Sequence, residues 1–137
     1  MRALLRTAAV LGAVALSLPV QASPAGGPSL SGEWRNAKNT VHIRAYPCGD
    51  AVCGTVIWAS PSAEAKARDK GAGKLEGTQI FREFRPTGGG DYTGRVFVPT
   101  VGRTFSGKLR VTPDDKLVGK GCVLGGLFCK STVWVRL

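Results

Sequence analysis

Trp134-Val135-Arg136-Leu137 ends the chain, and Gly32-Glu33-Trp34 opens its first strand-like segment. About six more strand-like segments lie between them. First and last strands meet only in a sheet that closes on itself. A Trp on one and an Arg on the other then pack as a cation–π plug across one end of a barrel. Trp34 and Arg136 are the predicted plug residues.

Working outward, Leu30, Gly32 and Trp34 alternate with Ser31, Glu33 and Arg35, and Val41, Ile43 and Ala45 alternate with His42, Arg44 and Tyr46. Val52–Ala59 is richly β-forming, and Thr78–Phe84 continues with mixed alternation. Tyr92–Val98, Arg103–Val111, Lys116–Val123 and Cys129–Leu137 complete the set. In Arg103–Val111, Phe105, Gly107, Leu109 and Val111 share one face, and Thr104, Ser106, Lys108 and Arg110 the other. That period of two marks a half-buried strand. Asn36–Asn39, Gly88-Gly89-Gly90 and Pro113-Asp114-Asp115 supply turns. Eight strands joined by short turns predict an all-β fold, an eight-stranded up-and-down antiparallel β-barrel. Strand glycines in line with apolar neighbours, such as Gly54, Gly94, Gly107, Gly119 and Gly121, read mostly as bulges or bends. In the last strand Lys130, Thr132, Trp134 and Arg136 share one face and Ser131, Val133, Val135 and Leu137 the other, and either could face inward.

One connection is long: Ser60–Gly77 carries Pro61 and Ala63-Glu64-Ala65-Lys66-Ala67-Arg68, enough for a short helical turn before a Gly-containing stretch. Long loops in compact domains are usually functional or mobile. Strand counting puts it at the rim opposite the plug, together with the Cys122–Cys129 turn, and puts the Cys48–Cys53 turn at the plugged end.

The chain of 137 residues begins with a targeting pattern. Arg2 and Arg6 precede an apolar Ala8–Leu18, Pro19 breaks it, and Val20-Gln21-Ala22 has the small-x-small form of a cleavage site. Residues 1–22 are expected to be a signal peptide, 23–29 a flexible leader and 30–137 one barrel domain, exported to the periplasm or secreted. Without Arg2 and Arg6 the 19 cationic residues become 17 against 9 acidic ones, a net charge of +8. Such a protein suits an anionic envelope component, although the cations form no tight cluster and no nucleic acid is expected. No later stretch reaches the length of a membrane helix.

Four cysteines in an exported chain read as disulfides, and local pairing, Cys48–Cys53 and Cys122–Cys129, staples one hairpin each. A four-cysteine zinc site usually has tighter ligand spacing, and no metal or cofactor is expected.

Over the whole exported chain the sequence resembles domain of unknown function family 2147, small exported bacterial proteins. The matching pieces are Gly32-Glu33-Trp34, Tyr46 through Gly54 (Tyr-Pro-Cys-Gly-Asp-Ala-Val-Cys-Gly), Val96-Phe97-Val98-Pro99, Gly102-Arg103-Thr104-Phe105-Ser106, Gly121-Cys122 and Trp134-Val135-Arg136. The resemblance implies a lipocalin-like (calycin) barrel, whose plug the Gly-x-Trp and terminal Arg also look like, and no established activity. The family often has an acidic residue after the Pro of its Val-Pro stretch, where this chain has Thr100.

Catalytic signatures are weak. His42 is the only histidine and alternates outward with Arg44. There is no Gly-x-Ser-x-Gly elbow. Gly102 to Lys108 has the spacing of a phosphate-binding loop, but Leu109 follows the Lys and the segment reads as a strand. The chain is expected not to be an enzyme. The leading expectation is a barrel that binds a small apolar or amphipathic ligand. Trp58 and Phe128 would contact it near the open mouth, and Lys66, Arg68, Lys70 and Lys74 would meet an anionic headgroup. The alternative is an envelope interaction protein with a side-chain-filled barrel, acting through its basic surface and loops.

Overall fold

The computed structural model describes residue 18 and residues 28–123 and 128–137, with backbone alone at 122, 123 and 128. Apart from residue 18, the expected signal peptide lies outside the described residues, as does all of the leader but 28 and 29.

The strands are β1 (Gly32–Asn36), β2 (Val41–Cys48), β3 (Ala51–Ala59), β4 (Gln79–Gly88), β5 (Asp91–Val98), β6 (Arg103–Val111), β7 (Lys116–Val123) and β8 (Phe128–Arg136). Each pairs antiparallel with the next, and β8 returns to β1, with Trp34 opposite Arg136 and Asn36 opposite Trp134. The result is a closed eight-stranded up-and-down barrel, as the alternation and turn spacing predict. The closing seam is short, running from the Trp34–Arg136 pair to the Asn36–Trp134 pair.

Topology divides the connections between two rims. The β2–β3, β4–β5 and β6–β7 turns share one rim with the start of β1 and the end of β8. The β1–β2, β3–β4, β5–β6 and β7–β8 connections share the other. At the first rim Gly89 and Gly90 take φ of 61° and 86°. Two successive positive φ values are what a two-residue hairpin turn needs, and glycine adopts them without steric cost. The β2–β3 hairpin is stapled by the Cys48–Cys53 disulfide. Closing so short a loop is worth about 2 kcal/mol in the chain-entropy model. Cys129 is also disulfide-bonded and stands opposite Cys122 in the β7–β8 ladder. The side chain of Cys122 lies outside the described residues.

The long β3–β4 connection holds a true helix, α1 (Pro61–Asp69), where the sequence suggests only a turn. Ser60 caps it, its Oγ accepting from the Ala63 N–H at 3.1 Å, and Pro61 fills the first turn. Ala63 and Leu75 pack against the barrel core, so α1 sits over part of its rim. The Glu64 carboxylate ties down the return path by accepting from the Leu75 and Glu76 N–H groups. Those bonds, the Leu75 one foremost, hold the Glu64 carboxyl below its ordinary range against a weaker opposing effect of burial.

The core runs from Leu30, Val111 and Leu117 at the first rim to Ala59 and Ile80 near the second. Leu30, Trp34, Ile43, Phe84, Val111 and Leu117 are fully buried. Each such side chain contributes roughly 1.5–3 kcal/mol by leaving water. Residues 28–31 run across this rim: the Leu30 N–H donates to Tyr92 Oη, and Trp34 Nε1 donates to the Leu30 carbonyl. The Arg136 guanidinium lies 4.1 Å over the Trp34 ring and donates to the Ser29 and Ser31 carbonyls. This rim is closed.

Candidate functional site: the barrel cavity

Strand facing on β7 and β8 decides where the barrel is hollow. Arg136 points inward over Trp34, so period two carries Trp134, Thr132 and Lys130 inward with it. Opposite them on β7 stand Leu117, Gly119 and Gly121. Toward the closed rim Leu117 and Trp134 fill the space. Toward the other rim two glycines and a threonine leave it open.

The cavity that results is about 510 Å³, within the usual range for small-ligand pockets. Its wall is Ile80 and Phe81 of β4, Val96 and Val98 of β5, Phe105 and Leu109 of β6, Gly119 and Gly121 of β7, and Cys129, Lys130, Thr132 and Trp134 of β8. Most of these lie toward the strand ends at the second rim, which is the mouth. The floor is aromatic. Phe81 meets Phe84 edge-on at 5.5 Å and Trp134 edge-on at 6.3 Å, joining the packed half to the hollow one. The polar groups are few. Thr132 Oγ1 accepts from Trp134 Nε1 at 3.2 Å. Two lysines border the space: Lys130 on the inward face, and Lys120, which alternates outward between Gly119 and Gly121. A Cβ built at Gly121 meets nothing within 4 Å, whereas one at Gly119 meets Thr132 and Leu109.

Such a lining has an apolar body and one cation. It can hold an apolar chain and pair with a single negative charge. Among the described residues no cluster of His, Cys, Asp and Glu is placed to hold a metal ion.

The residues expected to contact a ligand stand elsewhere. Trp58 does not line the cavity. Strict alternation from Gly54 and Val56 would turn it inward, but β3 has one extra residue, Ile57, between the pairs Ile43–Val56 and His42–Trp58. That bulge flips Trp58 to the outer wall, where its ring meets His42 with centroids 4.6 Å apart and planes tilted by 45°. Lys66, Arg68, Lys70 and Lys74 sit on α1 and the segment after it, exposed at the mouth rim and outside the cavity lining. Phe128 begins β8 at that rim, and its side chain lies outside the described residues. A wholly side-chain-filled barrel is not found: filling stops where Gly119, Gly121 and Thr132 replace larger groups. The residues that do line the cavity include Phe81, Phe105, Lys130 and Trp134. For β8 the signal was available, because an inward Arg136 fixes the facing of Lys130, Thr132 and Trp134.

The family model described as an uncharacterized protein conserved in bacteria (DUF2147) matches residues 32–136. The chain belongs to the DUF2147 family. That match spans the barrel from the start of β1 to the end of β8. Among solved structures it is similar to HP1028 from the human pathogen Helicobacter pylori, a protein described as belonging to the lipocalin family. The two share 14% sequence identity with a TM-score of 0.61, over 80% of this chain and 83% of the other. At that identity the likeness concerns the fold: this DUF2147 chain has a lipocalin-like barrel. Among curated proteins none matches the sequence significantly.

Proposed function

We propose that this protein is a binding protein, not an enzyme, and that it takes a small amphipathic molecule into the barrel with its apolar part on the aromatic floor and a negative head at Lys130. The observation that carries this reading is the half-filled barrel, a cavity of about 510 Å³ with an apolar wall and one inward cation. The lipocalin-like fold supports it, since eight-stranded barrels of this size can hold one small ligand. A periplasmic or secreted location is part of the same reading, supported by the Cys48–Cys53 disulfide and by a family conserved in bacteria.

Displacement of a fluorescent fatty acid tests it, with Gly121→Leu as the decisive variant. A side chain at residue 121 enters free space, so the barrel is expected to fold as before while binding falls by at least about tenfold. Lys130→Glu is expected to lose the acid and keep the corresponding alcohol. No displacement by any long-chain acid or alcohol, or equal binding by Gly121→Leu, would sink the proposal.

A further inference from the structure

Charge is segregated along the barrel axis. In the half toward the closed rim Arg44 pairs with Glu33, Arg85 with Asp50, Arg110 with Asp91, Lys116 with Asp114 and Arg136 with Asp115. Five cations meet five carboxylates there, and all the ion pairs among the described residues lie in that half. The mouth rim is different. Lys38, Lys66, Arg68, Lys70, Lys74 and Arg103 are exposed there, and none is within ion-pair distance of a described carboxylate. The rim acids are Glu64, Asp69 and Glu76. Glu64 is engaged by two backbone N–H groups, although the charges of Arg68 and Lys74 also act on it. Six cations against three acids leave this rim positive where the other is balanced.

The same rim carries exposed apolar groups. Trp58 is 39% exposed on the outer wall near the end of β3, and Val101 is 58% exposed in the β5–β6 turn. An indole at the edge of a cationic ring suits the headgroup layer of a bilayer, where Trp is enriched and each nearby Lys or Arg adds attraction to anionic lipid. A soluble polyanion would use the cations and leave Trp58 and Val101 without a role.

We propose that the mouth rim docks on an anionic lipid bilayer, with Lys66, Arg68, Lys70 and Lys74 on phosphate headgroups and Trp58 and Val101 in the interface. Docking does not depend on the cavity being a ligand site. Only its corollary does, that an amphipathic molecule passes between bilayer and cavity without crossing water.

The test is binding of the protein, as isolated from its host, to ligand-free vesicles of phosphatidylcholine alone or mixed one-to-one with phosphatidylglycerol. Binding is expected only to the mixed vesicles and is expected to fall with salt. Replacing Lys66, Arg68 and Lys70 by Gln should weaken it about a hundredfold. A second rim set, Lys74→Gln with Arg103→Gln, should weaken it about tenfold or more. Removing two charges from the exposed barrel wall, at Arg95 and Lys108, should change it at most a few-fold. Brominated acyl chains should quench emission in wild type and quench it far less in Trp58→Phe. Absence of binding to mixed vesicles overturns the proposal. So does equal weakening by wall and rim sets, which would reduce the effect to net charge. Unquenched Trp58 with heparin bound through the same rim residues would make the partner a soluble polyanion and overturn it as well.

Discussion

Arg136 holds the closed rim by four contacts made at once. Its guanidinium covers the buried Trp34 ring, donates to two carbonyls of the crossing segment and meets Asp115 at 3.1 Å. Charge-assisted bonds of this kind are worth roughly 1.5–3 kcal/mol apiece, less where water competes. Arg136→Ala is expected to cost about 2–4 kcal/mol in denaturant unfolding, because it uncovers Trp34 and releases residues 28–31 together. Arg136→Lys should recover only part of that, since an ammonium cannot cover the ring and reach both carbonyls from one plane. Asp115→Asn should cost under about 1 kcal/mol, its carboxylate being largely exposed. At this scale the sequence was informative: a Trp three residues into the barrel and an Arg one residue from its end are neighbours in any closed eight-stranded count. Trp58 was not legible, because its direction depends on a bulge opposite His42 and not on its own neighbours in sequence.

Among the elements, the strands were readable and their irregularities were not. Alternation located all eight within a few residues. It left β4 mixed, and the reason lies in its pairing with β5, whose register shifts between Arg82 and Arg85 and again between Pro86 and Gly88, with Glu83 at φ 50°. Gly94 stands against this kink, where a Cβ would come within 2.8 Å of Phe84. Such a bulge answers to packing across strands, which one strand's sequence does not display. The α1 segment shows the converse. Its cap is local, Ser60-Pro61 with Glu64 in the first turn, yet its place on the rim comes from Ala63 and Leu75 meeting the core. Glu64 links the helix to the return path, and its carboxyl is held below the ordinary range. The lock is therefore present at pH above the unfolded carboxylate value and is lost as pH falls through the lowered folded one. Hydrogen exchange should show the Leu75 and Glu76 amides losing protection on acidification through that window. Glu64→Ala should expose the same two amides at neutral pH. Unchanged protection in both cases would contradict the role assigned to Glu64.

For the molecule as a whole, strand alternation and count pointed to a barrel and could not say whether it was full. The answer depends on the facing of β8 and on Gly119 and Gly121 across from it, one a close approach to Thr132 and the other open space. Both faces of β8 mix polar and apolar residues, so hydrophobic pattern alone leaves the choice undecided. The formal net charge of +10 likewise said nothing of distribution. Folding puts the ion pairs in the closed-rim half and leaves six exposed cations without an ion-pair partner around the mouth. The proposed ligand entry and the proposed surface contact thereby fall at the same end of the barrel. The most direct measurement of the central proposal is chemical-shift mapping of the backbone amides while a long-chain fatty acid is added. The expected result is saturable change at Phe81, Val96, Phe105, Leu109, Thr132 and Trp134, absent in Gly121→Leu. The contradicting result is no saturable change, or change confined to the outer wall around His42 and Trp58.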